Sequence, residues 1–432
     1  MKPNILFLFP DQWRGDWWSG GGRGVPVHTP TLAGLAESGT TFTSAFTPSP
    51  LCAPARACIA RGAAYSAEGV VDNGVDYPVG APSVYQALRE AGYHVAGCGK
   101  FDLHKAHYSW GPDGTHRLDE WGFSAGIDNE GKIDGVEAYK EGTPGPYLRF
   151  LAERGKAQAH VDDFARRMPH GTFPTPLSPE EYCDNWINQN ALDLLSSAPA
   201  DRPWFLQVNY TGPHSPFDIT AEMHEWYRDV DFDGPINGGA QEVDHLAIRR
   251  NYAAMIQNID AAIGKLLDHP RIREQRENTI IVFASDHGEM LGDHGRFGKS
   301  VPHNGSVHVP FVVQGAGVSA GRVVDDPVTI LDLPATFLDA AGVSELPGMD
   351  SQSLVSCLAG GAVPRELVTS ALCVTGKPEL CWRLALDSEF KYVAWSGGSE
   401  ALFQRSDYGE LDDVSAAHPA ETARLREAAG GA

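Results

Sequence analysis

Three short, strongly apolar runs in this chain each end on a polar loop, and that repetition restricts the fold more than any other feature. "NILFLF" (4–9) stops at Pro10-Asp11, "WFLQVN" (204–209) runs into a Gly-Pro-His loop, and "TIIVFA" (279–284) leads to Asp286-His287. Runs this short, with apolar side chains on both faces, read as buried central strands of a parallel sheet. Helical patterns lie between them. "TPTLAGLAESG" has a Thr cap, Pro at the first helical position and Gly after its end. "SVYQALREAGYHVAGCGK" predicts a helix over 83–91, a stop at Gly92 and a strand over 94–98. A long amphipathic helix is predicted over about 246–268, a further strand at "VPFVVQG" and a further helix at "TILDLPATFLDAAG". Strands alternating with helices predict an α/β fold, with a large mostly parallel sheet flanked by helices. Such sheets bind ligands outside the carboxyl ends of their strands, so the polar residues just past those ends are the candidates for chemistry.

Two segments break the alternation. Residues 125–180 are rich in Gly, Pro and charge and predict an insert or lid within a catalytic domain spanning 1–345. From 346 to 432 the pattern changes to "CWRLALD", "FKYVAWS", "ALFQR" and a terminal helix, which predicts a small C-terminal antiparallel subdomain. The 432 residues carry a formal net charge of -22 with no basic run, which excludes nucleic acid and anionic membranes as bulk partners. An anionic small molecule would instead need a local cluster of cations or a metal. No run is long enough to span a membrane, and the first apolar run has no cleavage site behind it. Seven widely scattered cysteines predict reduced, mostly buried thiols and a cytoplasmic setting. The acidic balance is compatible with a monomer or a homo-oligomer.

Asp11 and Gln12 follow the first strand, and Asp286 and His287 follow a late one. Oxygen donors with one imidazole suit one divalent ion, Ca²⁺, Mn²⁺ or Mg²⁺, and the lack of paired thiolates speaks against structural zinc. Cys52 opens a small-residue run in "SPLCAPARACIARG". It reads either as a buried thiol or as a nucleophile activated by a helix N-terminus. Trp13, Trp17 and Trp18 beside the first polar loop could wall a cationic head group or pack in the core.

Cys52-Ala53-Pro54-Ala55-Arg56, with Gly62 six residues on, resembles the C-x-P-x-R signature of type I sulfatases, in the alkaline-phosphatase superfamily. Further blocks match in order: "PNILFLFPDQ", "GYHVAGCGK" ending at Lys100, "GPHSPF" with His214, "SDHGEMLGDHGRFGKS" with Lys299, and "FKYVAW…ALFQRSDYGELDDVS" near the C-terminus. The resemblance implies an alkaline-phosphatase-like sandwich. It also implies that a formylglycine-generating enzyme oxidises Cys52 to Cα-formylglycine, whose hydrate attacks a small anionic ester. Asp11, Gln12, Cys52, Asp286 and His287 would hold the metal. Arg56 would steady the hydrate, Lys100 and Lys299 would neutralise the transferring group, and His214 would protonate the leaving alkoxide.

The motifs depart from many sulfatases at several points. Asp11-Gln12 and Asp286-His287 replace the common Asp-Asp and Asp-Asn pairs, and with "SPLCAPARA" and Asn73 in "VVDNG" they are similar to the branch of choline sulfatases and phosphonate monoester or phosphodiester hydrolases. Asn73 would then contact substrate. Asp102 stands where the family has a histidine after the lysine, so His104 would have to serve as the second-step base, and "HNGS" (303–306) replaces Glu-Gly-Ser. The leading expectation is hydrolysis of a small organic sulfate ester to alcohol and sulfate. The alternative is a phosphonate monoester or phosphodiester hydrolase on the same fold, and a non-catalytic scaffold is a third reading disfavoured by the intact Cys52 and Arg56.

Overall fold

The computed structural model describes residues 2–66, 68–239 and 242–430. Nine strands form one sheet: β1 Asn4–Leu8, β2 Thr40–Phe46, β3 His94–Gly99, β4 Ala125–Asp128, β5 Trp204–Asn209, β6 Thr279–Ala284, β7 His308–Gly315, β8 Arg322–Val324 and β9 Val328–Thr329. Their order is β4-β3-β5-β1-β6-β7-β2-β8, with β9 paired to β2. All neighbours from β4 through β6 are parallel, and only β7 runs against its neighbours β6 and β2. The large mostly parallel sheet expected from the sequence is therefore present.

The alternation along β1 shows why the sheet is covered on both sides. Ile5 and Phe7 belong to one core and Leu6 and Leu8 to the other, and all four are fully buried. The first face packs on helix α2 (Cys52–Arg61), on α3 (Val84–Glu90) and on helix Leu333–Ala340, through Ile59, Leu88 and Phe337 among others. The second packs on α1 (Pro30–Glu37) and on helices Cys183–Ser197 and His245–Leu267, through Leu32, Ile187 and Ile259. The helix starts carry local signals: Pro30 opens α1, Ser83 Oγ accepts the Gln86 N–H at 3.1 Å, and Asp244 accepts the Ala247 N–H at 2.9 Å.

A second sheet is an antiparallel meander of β10 Val368–Cys373, β11 Cys381–Leu386, β12 Phe390–Trp395 and β13 Glu400–Gln404. Its inner face, including Leu384 and Val393, packs on Phe46, Leu51 and Val307 of the larger unit. Its outer face is covered by Leu425 of helix Pro419–Ala428. A cavity of about 180 Å³ lies in the seam, lined by Phe46, His308, Lys391 and Arg405 among others.

One expectation needs correction, and the segment expected as an insert or lid takes a definite form. Residues 125–180 are regular: they supply edge strand β4 and helices Lys132–Lys140, Pro146–Glu153 and Ala157–Arg167. Their periodicity is hidden because buried charged residues such as Lys132, Asp163 and Arg167 occupy core-facing positions. The cysteines are also not all reduced. Five are free and buried, but Cys373 and Cys381 form a disulfide. They face each other across β10 and β11, a pairing set by sheet register that their spacing of eight residues does not reveal. Among the described residues no helix is long and apolar enough to cross a membrane.

Candidate active site

The candidate residues meet at the carboxyl end of the parallel strands. Asp11 lies past β1, Lys100 past β3, Asn209 ends β5, and Asp286 and His287 lie past β6. Cys52 is the first residue of α2, and only 1% of it is exposed. A helix N-terminus directs its unpaired N–H groups at such a group and favours negative charge on it. Leu51 cannot cap the helix with its side chain, so the Asn73 amide oxygen accepts the Ala53 N–H at 3.0 Å. Asn73, expected to contact substrate, is thus placed as a cap for the helix that carries Cys52.

Around Cys52 Sγ, His287 Nε2 stands at 3.3 Å and Asp11 Oδ1 at 3.9 Å. His287 Nδ1 is 3.1 Å from the Gly288 carbonyl, an arrangement that leaves Nε2 as the ligand-type nitrogen facing the site. One ligand atom each from Asp11, Cys52, Asp286 and His287 lies within 4.8 Å of all the others, and all four residues are buried. That set fits a divalent ion. Burial and the neighbouring Asp11 charge push the Asp286 carboxyl up, a repulsion that a cation would relieve. Gln12 joins differently. Its backbone, at φ 68, donates N–H to Asp286 Oδ1 at 3.0 Å, while its amide spans Lys299 and Glu289.

Cations surround the carboxylates. Arg56, one turn after Cys52, reaches Asp286 Oδ2 through Nε at 3.0 Å, and through Nη1 donates to the Lys100 carbonyl and to Asn209 Oδ1. The Lys100 ammonium contacts Asp11 and lies 3.1 Å from Asp102. Burial opposes its charge, yet Asp102 and Asp11 hold its pKa well above the usual value. Burial and Asp11 likewise oppose ionisation of Cys52, but Lys100, Lys299 and His287 hold its thiol well below the ordinary range. Lys299 Nζ lies 2.6 Å from His214 Nε2. Burial and Lys299 lower the His214 pKa, so the imidazole is neutral near pH 7.

The structure therefore brings Asp11, Gln12, Cys52, Arg56, Lys100, His214, Asp286, His287 and Lys299 together. It does not bring His104: that residue sits with Asp76, His107 and His116. The three tryptophans are core residues, with Trp13 edge-on to Phe283 and Trp17 stacked on Phe232, so none forms an exposed wall. Sequence reasoning missed Glu289, whose fully buried carboxylate takes the Gln12 amide and the N–H groups of Leu291 and Gly298. It also missed the Lys100-Asp102-Lys105-Asp134 chain of ion pairs. The only available sign was that Glu289 and Asp102 lie inside or beside the matched blocks.

Comparison with known proteins gives a consistent picture. The family described as Sulfatase matches residues 3–343. An arylsulfatase of Clostridium perfringens is 28% identical over 383 residues, covering 82% of this chain and 78% of that one. A choline-sulfatase of Rhizobium meliloti is 28% identical over 408 residues, covering 83% and 72%. The crystal structure of the phosphonate monoester hydrolase of Agrobacterium radiobacter superposes with a TM-score of 0.82 at 25% identity, over 99% of this chain and 94% of that one.

Proposed function

Because this chain belongs to the sulfatase family of the alkaline-phosphatase superfamily and is a sulfuric ester hydrolase, we propose that it cleaves a small organic sulfate ester using a formylglycine made from Cys52. The observation that carries the reading is the buried convergence of Asp11, Cys52, Asp286 and His287 beneath two lysines and an arginine. Residue 52, Asp11, Asp286 and His287 would hold one divalent ion, Ca²⁺, Mn²⁺ or Mg²⁺, with Gln12 completing the set. When bound, the ion supplies positive charge to the attacking oxygen and the transferring group. A hydrated aldehyde at residue 52 would supply one hydroxyl for attack and a second whose loss of a proton would expel the transferred group and restore the aldehyde.

The chain's own side chains do the rest. Asn73 fixes the start of α2, and so the position of the nucleophile. Arg56 holds Asp286 in place and opposes the rise in its pKa that burial and Asp11 cause. Lys100 and Lys299 place fixed positive charge where the ester's peripheral oxygens gather charge in the transition state. The Lys299 ammonium and the His214 imidazole share a hydrogen bond, so a proton can pass through them to the leaving alkoxide. The formylglycine-generating enzyme is a transient partner in this reading. A cytoplasmic site of action would need an imported substrate, and the Cys373–Cys381 disulfide argues for an oxidising compartment instead. Non-reducing peptide mapping of protein from the native host decides between the two.

A second reaction fits the same charges. A phosphonate monoester, like a sulfate monoester, places a single negative charge on the transferring group, and the structural neighbour from Agrobacterium radiobacter is a phosphonate monoester hydrolase. The deciding test compares kcat/KM for 4-nitrophenyl sulfate and 4-nitrophenyl phenylphosphonate, with Cys52 fully converted and Mn²⁺ or Ca²⁺ supplied. A preference for the sulfate is expected. A strong preference for the phosphonate would assign the chain to the second reaction.

A further inference from the structure

Two other clusters of ligating side chains occur among the described residues. In the first, His294, His303 and Glu410, the carboxylate is already held by the Lys391 ammonium and the Asn304 N–H, and His294 Nε2 faces the Gly409 carbonyl at 2.9 Å. The second, Asp76, His104 and His107, is arranged otherwise. Asp76 Oδ1 accepts the Ala106 N–H at 2.8 Å, which fixes the carboxylate and leaves Oδ2 facing both imidazoles. His107 Nδ1 stands 2.6 Å from that oxygen. His104 Nδ1 stands 2.8 Å from it, yet makes no hydrogen bond, although His104 is only 6% exposed. A buried ring nitrogen this close to a carboxylate oxygen but outside hydrogen-bond geometry is short of a hydrogen-bond partner.

We propose that Asp76, His104 and His107 form a second metal site, distinct from the candidate active site, that takes a first-row transition ion such as Zn²⁺. The three ligand atoms lie within 4.8 Å of one another, the convergence that a shared ion needs. Two imidazole nitrogens and one carboxylate oxygen form a donor set that favours Zn²⁺ and its neighbours over Ca²⁺ or Mg²⁺. Three protein ligands leave a coordination position for water. The His107 side chain is 71% exposed and gives the ion a path from solvent. The site joins two segments that serve the catalytic centre: Asp76 follows Asn73, the cap of α2, and His104 follows Lys100. An ion here would fasten those segments to each other and gives His104 a structural role in place of a catalytic one.

The test is equilibrium dialysis of the full chain against Zn²⁺, with the bound metal counted for wild type and for His107→Ala, His104→Ala and His303→Ala. His107 is exposed, so His107→Ala keeps the fold. The proposal expects one equivalent fewer in His107→Ala and His104→Ala than in wild type, and no loss in His303→Ala. As a difference between proteins, this count is independent of how many ions the catalytic centre holds and of which ester the enzyme cleaves. An unchanged count in His107→Ala, or a loss in His303→Ala instead, overturns the assignment.

Discussion

His214 and Lys299 form a pair whose roles follow from their protonation. Nδ1 of His214 faces the Ser215 carbonyl and Nε2 faces the Lys299 ammonium, which a neutral imidazole satisfies by donating on one side and accepting on the other. A proton delivered through this pair matters most when the leaving group is a poor one. His214→Ala should therefore lower kcat on an alkyl sulfate by roughly 10²–10⁴-fold and on 4-nitrophenyl sulfate by much less. Equal losses on both substrates would remove His214 from proton transfer. At this scale Asp11, Cys52, Asp286 and His287 were legible, because each follows a strand end or opens a helix and each lies in a matched motif. Glu289 was not. Its role comes from contact with Gln12, 277 residues away in sequence, and no local pattern encodes that.

Helix α2 is the element on which the proposed chemistry rests, and its two ends separate activity from stability. Asn73 caps the start, and Gly62 ends it at φ 70 with its N–H on the Cys58 carbonyl at 2.7 Å. A Cβ at Gly62 would overlap Met349 Cε, and the residue would have to hold the left-handed region. Gly62→Ala should cost about 1–2 kcal/mol of stability with kcat unchanged. Asn73→Ala should cost about 1 kcal/mol and also lower kcat, since the lost cap lies one residue from Cys52. Thermal melts and turnover numbers of the two variants check the contrast. The sequence displays elements of this kind well, because apolar runs and Pro, Ser and Gly punctuation are local. It concealed the helices within 125–180, where buried ion pairs such as Arg167 with Asp163 interrupt the apolar stripe. It also concealed the β10–β11 disulfide, which only strand register brings together.

The whole molecule is held together at the seam between its two sheets. Glu410 takes the Lys391 ammonium of β12 and, from the larger unit, His303 and the Asn304 N–H. Burial opposes its charge, but Lys391 and His303 pull its pKa down from 4.5 to about 2. The folded pKa lies below the unfolded one, so this contribution is complete above about pH 4.5 and is lost as pH falls towards 2. Burial also lowers the Lys391 pKa, so the net gain from the pair is smaller than the Glu410 shift suggests. Lys391→Met would leave a buried carboxylate without its ammonium. It should cost about 3–5 kcal/mol at pH 7, seen as a lower urea midpoint followed by tryptophan fluorescence, and the cost should shrink as pH falls towards 2. A midpoint that stays in place would show that His303 and Asn304 suffice.

The burial of residue 52 has a consequence in time rather than in space. Cys52 is closed in by β1, β3 and β6 exits that come from widely separated parts of the chain, and the last of them, Asp286 and His287, is made long after the cysteine itself. Any enzyme that rewrites this side chain must reach it while the strand ends are still apart. On the proposed reading the chemical identity of the nucleophile would be settled during synthesis and folding, and each finished molecule would keep whichever group it closed upon.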